Sequence, residues 1–293
     1  MAALSVALAK FSNYLSGTVQ GNARFLDAMF SDFGIPNSHA SGPIYVTMWN
    51  GVTARLVVDG TLMQNGMTNS ATALTYVNQA VPLSLPPSSE LSLSAVDIAR
   101  GLRKGAGTLV KQMQSFVIAD MIGGTPGDSG QLDNTNFSDH TDGDDLAVVN
   151  EGIAYVESKC DADRTNMYIA LHPTAYAGFR TLVDALVGNS FTLQNDTIYT
   201  YQGIPVFSIP VDANDLAGSP ITGLTSWGAS SPNGIAGYVG YREAVACARS
   251  PQGAYLHGGA PSYADDGTIK FIWQSPFAHG LLEDDFLFEI QNT

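Results

Sequence analysis

Charge is scarce in this 293-residue chain and unevenly placed: 14% of residues are charged, and the stretch from Ile44 to Leu93 holds only Arg55, Asp59 and Glu90. An even spread would put about seven charges there. Lysine is missing altogether between Lys10 and Lys104. Cysteine is nearly absent too. Cys160 and Cys247 stand apart, without the paired spacing of a metal site. They read as free buried thiols in a reducing compartment, with a single disulfide as the alternative. No run of about 18 apolar residues occurs, which excludes a membrane-spanning helix. The opening Met1-Ala2-Ala3-Leu4 has no basic residue ahead of its apolar ones, which argues against a secretory signal.

Positive charge is the scarcer sign, with 13 Lys and Arg against 27 Asp and Glu and a net charge of −14. A dedicated nucleic-acid binder draws its affinity from neutralising phosphates, so that class is excluded. The acidic excess suits a protein that stays soluble at high concentration. Hydrophobic residues at 45% and aromatics at 10% are enough for a sizeable core, in one large domain or two to three smaller ones.

Constellations of chemistry are also missing. Gly127-Asp128-Ser129-Gly130 matches the nucleophile motif of chymotrypsin-like proteases, but none of the five histidines stands in the context a triad requires. The motif lies among turn-forming residues and reads as a polar loop. Asp139, Asp142, Asp144 and Asp145 lack the spacing of an EF-hand and read as a solvated loop with at most weak cation binding. His39, His140, His172, His257 and His279 are scattered singly, and neither a Walker loop nor a dinucleotide glycine fingerprint occurs. The reading is no enzyme, with no catalytic residues, no cofactor and no metal.

Periodicity organises the rest. Leu4, Leu8, Phe11 and Leu15, then Phe25, Leu26, Met29, Phe30 and Phe33, are divided by glycines and Pro36 into an arm with one or two short helices. The β-rich runs Ile44–Trp49, Thr53–Val58 and Leu74–Val81 are punctuated by Asn50-Gly51 and Asp59-Gly60, which read as hairpin turns. A hairpin arm of this size cannot bury both of its faces, so another copy of the chain is the economical cover.

Ser92 or Ser94 can cap a long helix over Ala95–Met121, with Val96, Ala99, Leu102, Ala106, Leu109, Met113 and Phe116 as its buried stripe. Gly101, Gly105 and Gly107 inside it imply a bend or the close approach of another backbone. Next come an acidic loop over residues 128–145 and an amphipathic helix from Leu146 to Cys160, capped by Asp144 or Asp145. The buried strand Met167–Leu171, the His172-Pro173 turn and the helix Thr174–Val187 follow, then strands Thr197–Tyr201 and Val206–Ile209 about Gly203. Thr268–Trp273 and Phe286–Ile290 close the chain as β-structure.

Two surfaces stand out. Arg100, Arg103, Lys104 and Lys111 gather four of the 13 basic residues on one helix, and the 128–145 loop has six aspartates and no cation. Either these match between subunits or both are simply solvated. Arg55, Arg100, Arg103, Lys104, Lys111, Asp139, Asp142 and Asp144 are the candidate inter-subunit residues.

Met167-Tyr168-Ile169-Ala170-Leu171-His172-Pro173 with its following helix, Gly203-Ile204-Pro205-Val206, Gly234-Ile235-Ala236-Gly237-Tyr238-Val239-Gly240 and Phe277–Ile290 form an ordered set. Together with the hairpin arm and long helix before them, they resemble the major capsid proteins of tailed bacteriophages, the Hong Kong 97-type fold. The resemblance implies an α+β fold with an N-terminal arm (1–42), an extended β-hairpin E-loop (43–93) and a peripheral domain with a long spine helix (94–145). A compact α/β axial domain (146–250) and a return to the peripheral domain (251–293) complete it.

The implied function is a major capsid protein that self-assembles into hexamers and pentamers of an icosahedral shell around double-stranded DNA. It would be part of the virion and be assembled in the host bacterial cytoplasm. The implied partners are further copies of itself, a separate scaffolding protein, a portal and a decoration protein, with packaged DNA met only non-specifically and no membrane. An encapsulin-like compartment shell is the alternative on the same fold, and a phage tail or adhesin protein the alternative of another class. Members that crosslink covalently use an E-loop lysine, which this chain lacks. Nor does its helical arm, beginning at once after Met1, leave room for a cleaved scaffolding extension.

Overall fold

The charge-poor stretch forms strands only because distant partners complete them. In the computed structural model, which describes residues 23–31, 44–50, 68–85, 95–141, 143–160, 164–186, 192–194, 198–215, 218–230, 234–249, 255–256, 262–263 and 269–293, the chain begins with a single helical turn, α1 (Arg24–Asp27). The strand β1 (Ile44–Asn50) pairs antiparallel with the first part of β2 (Thr68–Leu85), from Ile44 opposite Leu74 to Asn50 opposite Thr68. The expected strand Thr53–Val58, both expected hairpin turns, Arg55, the helix expected over Leu4–Leu15 and the serine caps lie outside the described residues.

The long helix α2 (Ala95–Gly123) follows, then β3 (Asp128–Gln131), α3 (Asp144–Lys159), β4 (Met167–Leu171) and α4 (Pro173–Leu186). Three further strands come next: β5 (Thr192–Gln194), β6 (Ile198–Tyr201) and β7 (Ile204–Ser208). The chain ends through β8 (Ile235–Tyr241), β9 (Val245–Arg249), β10 (Tyr255–Leu256), β11 (Ser262–Tyr263), β12 (Ile269–Leu281) and β13 (Leu287–Gln291).

Two sheets result. In the first, β12 runs antiparallel along β2 from Ile269 opposite Leu85 to His279 opposite Thr75, and β9, β10 and β11 also pair with β12. Both ribbon strands are longer than their hydrophobic runs suggest: Pro82 and Pro276 lie inside them. Local pattern ends such strands at proline, whereas an eleven-pair ladder between distant segments carries them through.

The second sheet has the order β3-β13-β8-β4-β7-β6-β5. Asp128–Gln131, expected as loop, is instead the edge strand of this sheet. It pairs in parallel with β13 from the far end of the chain, a partner no local signal reveals. Type I′-like geometry at Gln202 (φ 52°) and Gly203 (φ 85°) turns β6 into β7.

The second sheet is covered on both faces, which is why all five residues of β4 are buried and why the strand reads as an unbroken apolar run. On one side Met167, Ile169 and Leu171 meet Val149, Ile153 and Val156 of α3 and Phe179, Leu182 and Val183 of α4. On the other, Tyr168 and Ala170 join Leu109, Met113, Val117 and Met121 of α2 and Val245 and Phe277 of the first sheet. Residues of the expected N-terminal arm belong to this second core. Phe25 packs edge-on against Tyr168 (5.9 Å between ring centres) and Phe207 (5.6 Å), and Met29 is fully buried. Phe30 N–H donates to Val245 O (3.1 Å), and Cys247 N–H donates to Phe30 O (2.9 Å). Residues 23–30 of the expected arm are therefore rooted in this core.

Cap chemistry differs in one place. Asp144 and Asp145 sit in the first turn of α3, where the helix dipole favours them, but neither caps it: Gly143 is the cap residue, with no side-chain bond. Asp145 is buried and accepts the backbone N–H groups of Asp133 (2.7 Å) and Asn134 (3.1 Å), tying the preceding loop to the helix. That loop turns through Asn136 (φ 54°) and Phe137 (φ 57°), left-handed conformations costly for a phenylalanine. Asn292 holds it there: its Oδ1 accepts Asn136 N–H (2.8 Å) while its Nδ2 donates to Asn136 Oδ1 (3.2 Å) and Ala229 O (2.8 Å).

Glycine placement separates close approach from open space. A methyl group on Gly178 of α4 would lie 2.8 Å from Phe137 O and closer still to Asn136 O. Gly107 of α2 has nothing within 4 Å, so among the described residues the expected close approach of a second backbone does not occur there. Gly178→Ala should lower stability by about 2–3 kcal/mol, and Gly107→Ala should raise it by about 0.5–1 kcal/mol. Urea unfolding of the unassembled subunit measures both.

Candidate subunit interface

The basic candidates other than Arg55 lie along one helix. Arg103 and Lys104 are exposed in the first half of α2. Arg100 is also on α2, though its side chain is outside the described set. From Lys104 to Gly123 the helix spans about 29 Å at 1.5 Å per residue. The acidic segment begins just beyond that far end.

Lys111 lies further along the same helix. It forms an ion pair with Asp212 of the chain that follows β7. Asp212 N–H donates to Ser115 Oγ (2.8 Å), and Ser115 Oγ donates to Lys111 O (2.9 Å). This three-residue clasp fastens the 209–228 connection along α2. Lys111 is thus engaged inside its own chain.

On the acidic side, Asp144 is exposed at the start of α3. Asp139 Oδ1 accepts both the backbone N–H (2.8 Å) and the hydroxyl (2.7 Å) of Thr141. The bond from the Thr141 hydroxyl, then that from its N–H, holds the Asp139 carboxyl below its ordinary range. Asp142 lies outside the described residues. Ser129 of the Gly-Asp-Ser-Gly segment sits exposed on β3. The glycines beside it serve packing: a methyl on Gly130 would press on Val148 and Phe288, and one on Gly127 on Tyr155 and Asp285.

Tertiary structure enlarges the acidic surface. Thr125 N–H donates to Asp284 Oδ2 (3.3 Å) and Gly127 N–H to Asp284 O (3.2 Å). Glu283, Asp284 and Asp285 therefore come beside the end of α2 and the start of β3. Three consecutive acids were the available signal for this group; their neighbours could not be read from the pattern. Burial first, then repulsion from Asp285 and Asp284, pushes the Glu283 carboxyl above its ordinary value.

No family model and no curated protein matches this sequence. Solved structures match its fold. The capsid of cyanophage P-SCSP1u is similar at 15% identity and a TM-score of 0.58, over 92% of this chain and 88% of that one. The Gordonia phage Cozz structure is similar at 14% identity and 0.57, over 92% and 86%. A virus-like particle from Pyrococcus furiosus is similar at 11% identity and 0.56, over 97% and 99%. At such identities the likeness is one of architecture, and the architecture is the α+β, Hong Kong 97-type fold of tailed-phage capsid structures.

A raised carboxyl means that the folded chain bears a cost while Glu283 is ionised. That cost is fully present above the raised value and fades as pH falls toward and below the ordinary 4.5. Glu283→Gln should therefore melt above the parent near pH 7, and the gap should close by about pH 4. Paired thermal melts across that window check it.

Proposed function

We propose that this chain is the major capsid protein of a tailed bacteriophage, a subunit that assembles with copies of itself into hexamers and pentamers of an icosahedral shell around double-stranded DNA. The observation that carries the reading is the fold shared with phage capsid structures along 92% of the chain. The likeness covers the whole architecture and not one domain of it.

The physical features suit that role. The ribbon of β1 and β2 is long and nearly uncharged, so a neighbouring subunit can cover it without desolvating charge, and its strand edges can take main-chain bonds from that neighbour. We read it as the E-loop, α2 as the spine, residues 146–250 as the axial domain and residues 251–293 as the return to the peripheral domain. Residues 1–42 are the arm, rooted in the core at 23–30. Basic and acidic surfaces at opposite ends of α2 favour a head-to-tail contact, which generates rings. Arg103 and Lys104 of one copy would then face Asp139 and Asp144 of the next.

With no lysine on the ribbon, contact there rests on burial and strand pairing. The acidic surface would keep packaged DNA from adhering. A scaffolding protein, portal and decoration protein are the expected partners, with assembly in the host cytoplasm and the finished shell in the virion. Among the described residues no helix is long and apolar enough to cross a membrane.

A compartment shell on the same fold is the second reading. It draws on the Pyrococcus furiosus particle, which aligns over 97% of this chain and 99% of its own.

Negative-stain microscopy of the purified protein should show closed shells of uniform size, and small discrete oligomers would refute both readings. Particles from infected cells that contain double-stranded DNA favour the capsid, and protein-filled ones the compartment. Arg103→Glu with Lys104→Glu should cut the yield of closed shells at least tenfold at low salt, with recovery when Asp139→Lys and Asp144→Lys are added. Assembly indifferent to that reversal would remove the proposed charge contact.

A further inference from the structure

The face of the first sheet that meets α2 presents alternate residues of β2 and β12: Thr75, Val77 and Gln79 opposite His279, Phe277 and Ser275. Two contacts fix how the helix lies on it. A methyl on Gly124 would sit 2.6 Å from Leu281 Cδ2. One turn earlier, His279 Nδ1 lies 2.6 Å from Asp120 Oδ2. Two residues back along a strand cover about 7 Å, and four back along a helix about 6 Å, so β12 and α2 advance in step. The next step sets Phe277 near Phe116, and these two rings flank His279 at 5.3 and 5.1 Å. By the same spacing the following step sets Ser275, with its partner Gln79, level with Gln112.

This layer is polar and closed off. Gln79 is 3% exposed, Gln112 1% and His279 5%. Both polar atoms of the Gln79 amide, Nε2 of Gln112 and Nε2 of His279 have no hydrogen-bond partner among the described residues. Four such atoms on one seam are far from the usual near-complete pairing of buried polar groups. Left dry, each would bear the desolvation of an amide or imidazole. A buried water needs two to four polar partners. Gln79 offers a donor and an acceptor, and Gln112 offers a further donor.

We propose that the seam between α2 and the β2–β12 ribbon is a hydration site, where ordered water bridges Gln79 and Gln112 and a second water meets His279 Nε2. Its mechanical consequence follows from the loss of steric interlock. Where water separates helix from ribbon, the ribbon shifts more freely along α2 than it would across directly interlocked side chains.

A density map of the folded protein at solvent-resolving quality should show at least one ordered water within hydrogen-bond distance of both glutamine amides. The amides bonded directly to one another, or to another side chain, would overturn the proposal. Gln79→Met with Gln112→Met keeps the volume and removes the polar site, so backbone amides of residues 75–80 should exchange with deuterium roughly tenfold more slowly than in the parent. Unchanged or faster exchange would overturn it. So would a double variant that no longer folds, since the amides would then be making bonds the fold requires.

Discussion

The rest of the molecule depends on the burial of α2 between two sheets at once. Met113, Val117, Ile118 and Met121 are fully buried in a core that draws Tyr168 and Tyr238 from the second sheet and Val245, Cys247 and Phe277 from the first. Neither sheet could cover that helix alone, and without the helix the ribbon would have one face bare. The core also explains why α2 tolerates three glycines. A helix held along much of its length by tertiary packing does not need the propensity that glycine withholds.

The same core absorbs the segment Ala23–Phe30. Phe25 reaches the second sheet and Phe30 hydrogen-bonds to the first, so eight residues bridge two units that the chain otherwise links through α2 and the connection after β7. The Asp27–Arg249 ion pair and the Lys111–Asp212 clasp lie at the rim of this arrangement. Burial first raises the Asp27 carboxyl, against the opposing pull of Arg249. Exposed pairs of this kind orient segments more than they stabilise them. Apolar burial does the holding, and the polar contacts set direction.

Much of the architecture was legible because each element carried its own pattern. The five apolar residues of β4, the Gly203 turn and the stripe along α2 are local signals with local causes. Misreadings arose where the partner was remote. Asp128–Gln131 has no β character of its own and becomes a strand through β13. Pro82 and Pro276 look like ends and lie mid-ribbon. Asp145 has the right type and place for a helix cap, yet it turns to the backbone of the loop before it. Of the candidate interface, the basic and acidic groups were visible as charge counts. The withdrawal of Lys111 into a pair with Asp212, and the arrival of Glu283–Asp285 beside β3, were not.

By itself the sequence determined the kinds of most elements, their order, the absence of charge on the ribbon and the gathering of four of the 13 cations onto one helix, because composition and period are properties of neighbouring residues. Only the tertiary structure decided what covers what. The length of the ribbon, the rooting of residues 23–30 in the core and the pairing of His279 with Asp120 all depend on contacts between segments far apart in the chain. Side-chain pattern records whether a residue is to be buried; it does not name the surface that buries it.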